Sequence, residues 1–426
     1  MTAEVSPRRR REIIDALRRG TVPQNGLDVL AVGLDRFDAA VAAELQTVQG
    51  GGSVFKAVRG EYGAGKTFFA RWLGERAKRL GMAVAEVQIS ETEISLHRLE
   101  TVYRRVCESL QTAEFPPSAL RSVLDAWLFS LAEEASGDPD ELLERRLASV
   151  SRTTPAFAAA LRAYRSAVVS GDAAAAEGLM AWLGGQPHVA GAVRRAAGVR
   201  GELDHFGALG FLQGLLTVLR DSGHPGLLVV LDEVETLQRV RTDVREKALN
   251  ALRQLIDEVD GGRFPGMYLL VTGTPTFFDG TLGVQRLPPL AQRLATDFMT
   301  DARFDNPRAV QVRLPGFTLD LLGEVGRRVR DLYAGGSTDP DRIGAVVDDG
   351  YLTELALAVS GSLGGRVGVA PRVFLKKLVG EVLDRVDQFP DFEPRAHYAL
   401  TVAGSELTEV ERNAAASADD VELDVR

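Results

Sequence analysis

The residues most able to do chemistry in this sequence form the stretch "GEYGAGKT" (residues 60–67), which fits the pattern G-x-x-x-x-G-K-[ST] at every fixed position. Glycines let the backbone N–H groups of such a loop point inward at phosphate oxygens, in conformations that a Cβ atom would obstruct. Lys66 would neutralise charge on the β- and γ-phosphates of a nucleoside triphosphate, and Thr67 would ligate Mg²⁺. The alternative is a glycine-rich turn that binds nothing. We predict phosphate binding by Gly60, Glu61, Tyr62, Gly63, Ala64, Gly65, Lys66, Thr67 and Phe68.

Two adjacent carboxylates, Asp232 and Glu233, follow the apolar stretch "LLVVL". Asp232 would hold Mg²⁺ from the end of a buried strand, and Glu233 would orient and deprotonate an attacking water. The alternative is that both carboxylates only cap the following helix, where they suit its dipole. Kinases and signalling GTPases usually lack a glutamate at this position, and the sequence has no NKxD-like guanine-specificity motif. The two motifs together predict an Mg²⁺-dependent ATPase.

Two threonines, Thr272 and Thr274, stand at the end of another apolar stretch, "MYLLVTGT" (residues 267–274). A hydroxyl at the end of a buried strand would contact the γ-phosphate or position the attacking water, and we take Thr274 as the candidate catalytic residue. The alternative is that both threonines are ordinary strand and turn residues.

Several arginines are candidates for stabilising the negative charge of a phosphoryl-transfer transition state. Arg286, Arg293 and Arg303 follow the threonine-containing strand, and one of them would act in the site of a neighbouring subunit. We favour Arg293, because it lies in a helical pattern that begins at two prolines. Arg372 follows Pro371 in the first turn of a predicted helix and would reach the γ-phosphate from there. The alternative for each arginine is a solvent-exposed helix face.

The elements that must position these residues are strands alternating with helices. Strands are predicted at "SVFKAVRG" (53–60), "MAVAEVQIS" (82–90), "GLLVVLDE" (226–233), "MYLLVTGT" (267–274) and "AVQVRLPGF" (309–317). Connections longer than a hairpin imply a parallel sheet covered by helices on both faces. A long helix is predicted at about 236–259, and Ser90 with Glu93 forms a capping box for another helix. We therefore predict an α/β fold, followed by a small all-helical block that forms a second, lid-like domain.

The pattern changes along the chain predict six regions. The stretch from 113 to 204 is alanine-rich and helical, and we expect Trp127 and Trp182 to lie in a small core of its own. The predicted regions are an N-terminal helical segment (1–45), the first part of the α/β core (46–112), a helical insertion (113–204), the second part of the core (205–317), a helical lid (318–402) and an acidic, disordered tail (403–426).

The composition is that of an ordinary globular protein, with 426 residues, 45% of them hydrophobic and 26% charged. No apolar run approaches the roughly 18 residues of a membrane span, so we expect a cytoplasmic protein without membrane contact. The single cysteine, Cys107, excludes an internal disulfide, and five scattered histidines suggest no metal site. The net charge of −9 argues against a large nucleic-acid footprint, although it allows a small local basic surface. Only six of the 50 basic residues are lysines, which makes Lys66 more notable.

A family resemblance rests on these motifs together. "GEYGAGKT", "LLVVLDEVET", "YLLVTGTP" and "GVAPRVF" resemble an AAA+ ATPase of the initiator and helicase-loader branch. More narrowly, "LRRGTVPQNGLDVLAVGLDRFD", "AVRGEYGAGKTFFARWL" and "VQISETEISLHRLETVYRR" resemble the ATP-binding proteins of BREX phage-defence systems, of the BrxD type. The resemblance implies a P-loop NTPase fold of the ASCE/AAA+ class, with a helical insertion and a C-terminal helical lid. It also implies that the region around Val22, Pro23 and Arg36 flanks the adenine, and that Arg372 senses the nucleotide from the lid.

The resemblance further implies an ATP- and Mg²⁺-dependent homo-oligomer that acts as a motor, switch or loader in phage defence. A helicase-type partner and non-specific contact with DNA belong to the same expectation. Two alternatives stay open at this point. One is a slow ATP-dependent signalling switch. The other is a nucleotide-gated scaffold with little hydrolysis, which holds a partner through residues 113–204.

Overall fold

A five-stranded parallel sheet forms the centre of the computed structural model, which describes residues 5–91, 96–134, 138–362 and 371–401 of the chain. Its strands run in the order β2-β3-β4-β1-β5, and all of the pairings between them are parallel. The strands are β1 (Val54–Arg59), β2 (Ala83–Gln88), β3 (Leu227–Asp232), β4 (Met267–Gly273) and β5 (Gln311–Arg313). All five lie within predicted strands. The edge strand β5 is the shortest, because Pro315 follows it and has no N–H to continue the ladder.

Apolar residues cover both faces of this sheet, as expected for parallel strands. On β3, Val229 packs into the cluster on one face, whereas Leu228 and Val230 pack into the cluster on the other. Every residue of β3 and β4 is buried. Strands that are buried on both faces give near-continuous apolar runs, which is why the sequence pattern located them.

Helices account for most of the remaining described chain. The α-helices in chain order are α1 (Pro7–Arg18), α2 (Leu27–Leu30), α3 (Asp35–Gln49), α4 (Lys66–Arg79), α5 (Leu99–Ser109), α6 (Leu120–Glu134), α7 (Pro139–Thr153), α8 (Pro155–Ser170), α9 (Ala173–Leu183), α10 (Gly191–Ala196), α11 (His205–Asp221), α12 (Thr242–Asp260), α13 (Pro275–Asp279), α14 (Pro288–Arg293), α15 (Leu319–Ala334), α16 (Pro340–Val346), α17 (Asp349–Ser362), α18 (Pro371–Lys377), α19 (Asp384–Gln388) and α20 (Pro394–His397). Short 3₁₀ helices lie at Val234–Gln238, Val284–Arg286 and Ala302–Phe304, and a π-helical segment, Leu378–Leu383, joins α18 to α19.

The helix predicted at 236–259 begins later in the structure than in the sequence pattern. A 3₁₀ turn, Val234–Gln238, follows β3, and α12 starts only at Thr242. Glu233 adopts a left-handed conformation before this turn and prevents β3 from running directly into a helix. Glu93 of the predicted capping box, residues 363–370 and the predicted acidic tail lie outside the described residues.

The predicted insertion packs directly on the α/β core. Trp127 donates from its indole N–H to the carboxylate of Asp221 at 2.7 Å, and the rings of Trp182 and Phe211 are 5.1 Å apart. Asp221 and Phe211 belong to α11, which packs against the sheet. Apolar residues of the insertion, of α11 and of one face of the sheet form one hydrophobic cluster. Trp127 and Trp182 are thus buried, as predicted, but the prediction that the insertion has a core of its own is wrong. Apolar spacing shows which helix face is buried, but it does not show against what.

The first helix packs with the predicted lid. Ile13, Ile14 and Leu17 of α1 lie in one hydrophobic cluster with Leu322 and Val329 of α15. By contrast, α3 packs on the sheet in a different cluster. The predicted N-terminal segment, 1–45, is thus divided between two cores.

An ion pair also ties α1 to the lid. The guanidinium of Arg18 donates to both carboxylate oxygens of Asp384, at 2.6 and 2.8 Å, and the hydroxyl of Tyr333 donates to the same carboxylate at 2.8 Å. Residues 19–26 then lead from α1 back to α2 beside the sheet. Within the described residues, this segment connects the lid to the core, and residues 314–318 connect them a second time.

Candidate nucleotide-binding site

A cavity of about 340 Å³ lies at the carboxyl edge of the sheet, between the sheet and the lid helices. One end is polar and is formed by the loop before α4. The other end is mostly apolar and is formed by α1, α15, α18 and the two connections between core and lid. Its wall consists of Leu17, Gly20, Thr21, Val22, Pro23, Leu30, Val32, Gly33, Leu34, Tyr62, Gly63, Ala64, Gly65, Lys66, Thr67, Phe68, Glu233, Glu235, Leu314, Pro315, Phe317, Leu321, Val325, Pro371, Arg372 and Leu375.

The predicted phosphate loop has the backbone conformation that its glycines permit. Gly63 and Gly65 have φ angles of 78° and 90°, in the left-handed region that residues with a Cβ rarely adopt. α4 begins at Lys66, directly after Gly65, so the first N–H groups of a 14-residue helix face the cavity. Free N–H groups and the helix dipole together favour an anion at this place.

Lys66 is buried inside the loop. Its ammonium donates to the carbonyl of Gly60 at 2.9 Å and to that of Glu61 at 3.4 Å. It also lies 3.6 Å from a carboxylate oxygen of Glu235 and 5.0 Å from the ring centroid of Tyr62. Gly60 and Glu61 thus contact Lys66 rather than the cavity. The lysine side chain is positioned at the polar end of the cavity, where phosphates would lie.

Asp232 accepts hydrogen bonds from two threonine hydroxyls, one at the start of α4 and one on β4. Thr67 donates to one carboxylate oxygen of Asp232 at 2.8 Å, and Thr272 donates to the other. Because β3 pairs with β4 and Leu231 is opposite Val271, the register places Asp232 and Thr272 side by side. A hydroxyl and a carboxylate are hard oxygen ligands of the kind that Mg²⁺ takes together with nucleotide phosphates. No group of three His, Cys, Asp or Glu residues that could hold a metal occurs in the described parts of the chain.

Glu233 lines the cavity in a strained conformation. Its φ of 60° is in the left-handed region, and its N–H is held by Asp232 and Thr272 at 3.2 Å each. Backbone strain of this kind in a non-glycine residue costs about 1–3 kcal/mol and is typical of functional sites. The side-chain amide of Gln88, at the end of β2, donates to the Glu233 carboxylate at 2.7 Å. The carboxylate is therefore directed toward β2 in this structure.

Glu235 is a residue of the site that the sequence reasoning missed. It lies two positions after Glu233, is 4% exposed and lines the cavity beside Lys66. Burial raises the pKa of its carboxyl group, and the nearby Lys66 ammonium acts in the opposite direction. Nothing in the "LDEVE" pattern distinguishes a buried glutamate at this position from an exposed one. Gln88 was missed for the same reason, because its contact depends on the pairing of β2 with β3.

Thr274 does not reach the cavity. It is the N-cap residue of α13, where its hydroxyl accepts a hydrogen bond from the N–H of Phe277 at 3.4 Å. Thr272, the other threonine of the strand, is the one that contacts Asp232. The structure thus gives the hydroxyl contact to Thr272 and a capping role to the predicted Thr274.

Two of the predicted arginines lie away from the cavity wall. Arg293 forms an ion pair with Asp257 of α12 and donates to the carbonyl of Pro289 at 2.8 Å. Arg36 donates to the carbonyl of Arg313 at 2.8 Å and thereby ties α3 to β5. Arg36 does not line the cavity, whereas the family resemblance implied that it flanks the adenine. An in-trans role for Arg293 depends on a neighbouring subunit and stays a prediction.

Three further predicted residues do line the cavity, whereas Arg286 and Arg303 do not and form ion pairs with Glu246 and Asp301. Val22 and Pro23 lie in the connection between α1 and α2, and Arg372 lies in the first turn of α18. A Cβ atom on Gly20 would be 3.7 Å from the guanidinium of Arg372, so the lid helix and the connection meet at this wall. The cavity therefore joins Lys66, Thr67, Glu233, Val22 and Arg372 around one space.

Fold and site together define a class of protein. The phosphate loop follows β1, the acidic pair follows β3, and β4 lies between these two strands. This is the strand order of the ASCE P-loop NTPases, the division that contains the AAA+ proteins. The sequence model of the family described as BREX system ATP-binding protein BrxC/D matches residues 5–402. The chain belongs to this family of ATP-binding phage-defence proteins, as the sequence resemblance predicted.

Among solved structures, the chain is similar to the ORC2 protein of Aeropyrum pernix, whose structure is that of its ADPNP-ADP complexes. The sequence identity is 14% and the TM-score 0.35, over 86% of this chain and 70% of that one. None of the curated proteins matches this chain. No helix among the described residues is both long and apolar enough to span a membrane.

Proposed function

We propose that the protein hydrolyses ATP with Mg²⁺ at this cavity. The observation that carries the proposal is the contact of Thr67 with Asp232 at 2.8 Å, beside Glu233. It joins the residue that follows the phosphate lysine to the acidic pair, as Mg²⁺-dependent phosphoryl transfer requires. Thr67 and Asp232 would hold the metal ion, which supplies charge neutralisation on the phosphates.

The other residues of the cavity take roles that follow from their positions. Lys66 and the N–H groups at the start of α4 bind the phosphates, and the apolar end near Val22 and Pro23 accepts the adenine ring. Glu233 orients and deprotonates the attacking water once its carboxylate is released from Gln88. Arg372 contacts the γ-phosphate from the lid.

Assembly into a homo-oligomer is a further part of the proposal. Arg293 would leave Asp257 and enter the site of a neighbouring subunit, where it would stabilise transition-state charge. We further propose that the protein works with a helicase-type partner on DNA, as the sequence resemblance implied. The net charge of −9 limits direct DNA contact to a local basic surface.

The test is ATPase activity measured against protein concentration, with and without DNA. Catalysis in trans makes the rate per subunit rise with concentration, and an Arg293→Ala variant loses this rise while it still binds ATP. Glu233→Gln binds ATP but does not turn it over, and Lys66→Ala does not bind ATP. Hydrolysis by Glu233→Gln at the wild-type rate would contradict the role of Glu233.

The contact between Gln88 and Glu233 favours a second candidate, a slow ATP-dependent switch. A carboxylate held at 2.7 Å by an amide is not free to activate water, so basal turnover would be low. A switch of this kind would co-purify with one nucleotide and would not respond to DNA. ATPase activity measured against protein concentration, with and without DNA, distinguishes the two candidate functions.

A further inference from the structure

Glu235 is a buried carboxylate at the polar end of the cavity that the proposed hydrolysis does not use. It lies in the 3₁₀ turn Val234–Gln238 directly after β3, with 4% of its surface exposed. Both carboxylate oxygens are buried and accept no hydrogen bond from any other described residue, although the N–H of Glu235 itself favours the ionised form. A buried ion without hydrogen bonds is strongly disfavoured unless an opposite charge lies close to it.

The opposite charge beside Glu235 is the ammonium of Lys66, at 3.6 Å. The nearby carboxylates of Glu233 and Asp232 make the ionised form of Glu235 less favourable, whereas Lys66 makes it more favourable. In the structure, therefore, the lysine that would bind phosphate neutralises a carboxylate of its own chain.

A nucleotide that enters the cavity changes this balance. Lys66 must direct its charge at the phosphates, and the Glu235 carboxylate then faces additional negative charge at close range. Coulomb repulsion grows with the charge of the ligand, so the γ-phosphate makes it larger for ATP than for ADP. The low dielectric of a buried site strengthens the repulsion.

We propose that Glu235 is a counter-charge to Lys66 that weakens ATP binding and keeps the nucleotide exchangeable. In the empty site it holds the lysine in place at the loop. In the loaded site it opposes the triphosphate and speeds its dissociation. The inference rests on the proposed binding of ATP at this loop, and it assigns to Glu235 a positioning role rather than a catalytic one.

The experiment measures equilibrium affinity and dissociation rate for ATP and ADP with the full-length protein and its Glu235→Gln variant. The amide keeps the shape of the side chain and removes the charge. We expect ATP to bind about tenfold more tightly, through a slower dissociation rate, and ADP to change less. Glu235→Asp keeps the charge and is expected to stay within about twofold of the wild-type affinity.

The chain offers a matched control in the pair of Lys56 and Glu44. Like Lys66, Lys56 is a buried lysine, and it lies on β1. Its ammonium donates to the carbonyls of Pro307 and Ala309, at 2.9 and 3.0 Å, and forms an ion pair with the carboxylate of Glu44. This pair does not line the cavity. Glu44→Gln removes a lysine-paired carboxylate without changing nucleotide affinity.

The outcomes separate this inference from the proposed function. If wild-type protein does not bind ATP, or Lys66→Ala binds it equally well, the proposed function is wrong. If wild-type protein binds ATP and a folded Glu235→Gln binds it equally or more weakly, the counter-charge role is wrong. The same holds if Glu235→Asp tightens binding as much as Glu235→Gln. Glu235→Ala removes the same charge and replaces the amide variant if that variant does not fold.

Discussion

At the scale of single residues, Asp232 is held by hydroxyls from both sides, one from Thr67 and one from Thr272. The sequence pattern located the strand that carries Thr272 and Thr274, but not which threonine faces Asp232. The choice follows from the register between β3 and β4, which depends on long-range pairing. The threonine two positions further along the chain, Thr274, caps a helix instead.

Replacing each threonine by valine separates these two roles, because valine keeps the shape and removes the hydroxyl. We expect Thr272→Val to lower the ATPase rate about tenfold, since Asp232 loses one of its two hydroxyl donors. We expect Thr274→Val to lower the free energy of unfolding by about 1 kcal/mol through the lost cap, with little change in rate. Steady-state kinetics and urea unfolding measure both quantities. A larger loss of rate in Thr274→Val would return the catalytic role to Thr274.

Gln88 offers a second prediction at the same scale. Gln88→Ala frees the Glu233 carboxylate from its hydrogen bond, so the basal ATPase rate rises several-fold while the KM for ATP stays unchanged. The double variant Gln88→Ala with Glu233→Gln should be inactive, which shows that the gain passes through Glu233. A fall in the rate of Gln88→Ala would mean that the contact positions Glu233 for catalysis instead of restraining it.

At the scale of elements, α1 belongs with the lid although it lies at the other end of the sequence. The amphipathic pattern of Ile13, Ile14 and Leu17 predicts a helix with one buried face. It cannot identify the partner, because the sequence contains many complementary apolar faces. Similarly, the left-handed conformation of Glu233, which delays α12, is a strained state that sequence preference alone does not predict.

The ion pair between Arg18 and Asp384 gives a prediction for this contact. Arg18→Gln removes a two-oxygen contact that is partly exposed, and we expect a loss of about 1 kcal/mol in the free energy of unfolding. Because the chain after α1 lines the cavity, the ATP affinity should fall as well. Arg8→Gln breaks only an exposed pair with Glu12 and serves as the control. An equal effect in both variants would show that the Arg18 contact does not hold α1 on the lid.

At the scale of the whole molecule, the helices of residues 113–204 and one face of the sheet share a hydrophobic core. The sequence predicted the helices of this stretch from their apolar spacing and turn residues. It did not predict that Trp182 meets Phe211 of α11, since the two residues are distant in sequence. The boundaries of the six regions stay a prediction.

A shared core predicts that a cavity made in the insertion destabilises the entire protein. Leu161→Ala in α8, where Leu161 is fully buried, should cost about 2–5 kcal/mol and shift one cooperative thermal transition. Val169→Ala in the same helix, where Val169 is 77% exposed, should leave the transition unchanged. Calorimetry distinguishes this from a separate early transition, which would indicate that the insertion folds on its own.

Two neighbouring connections, residues 19–26 and 314–318, attach α1 and the lid helices to the sheet, and both line the cavity. A rigid body attached at two points rotates only about the line through them, whereas a body attached at one point can also twist. The lid should therefore rotate about a single axis that passes beside the cavity. A nucleotide that binds close to this axis would act on the lid at a short distance from it. We therefore expect small shifts of the backbone around Val22 to produce large displacements at α17. Spin labels on α3 and α17 would record this as one smoothly shifting distance distribution.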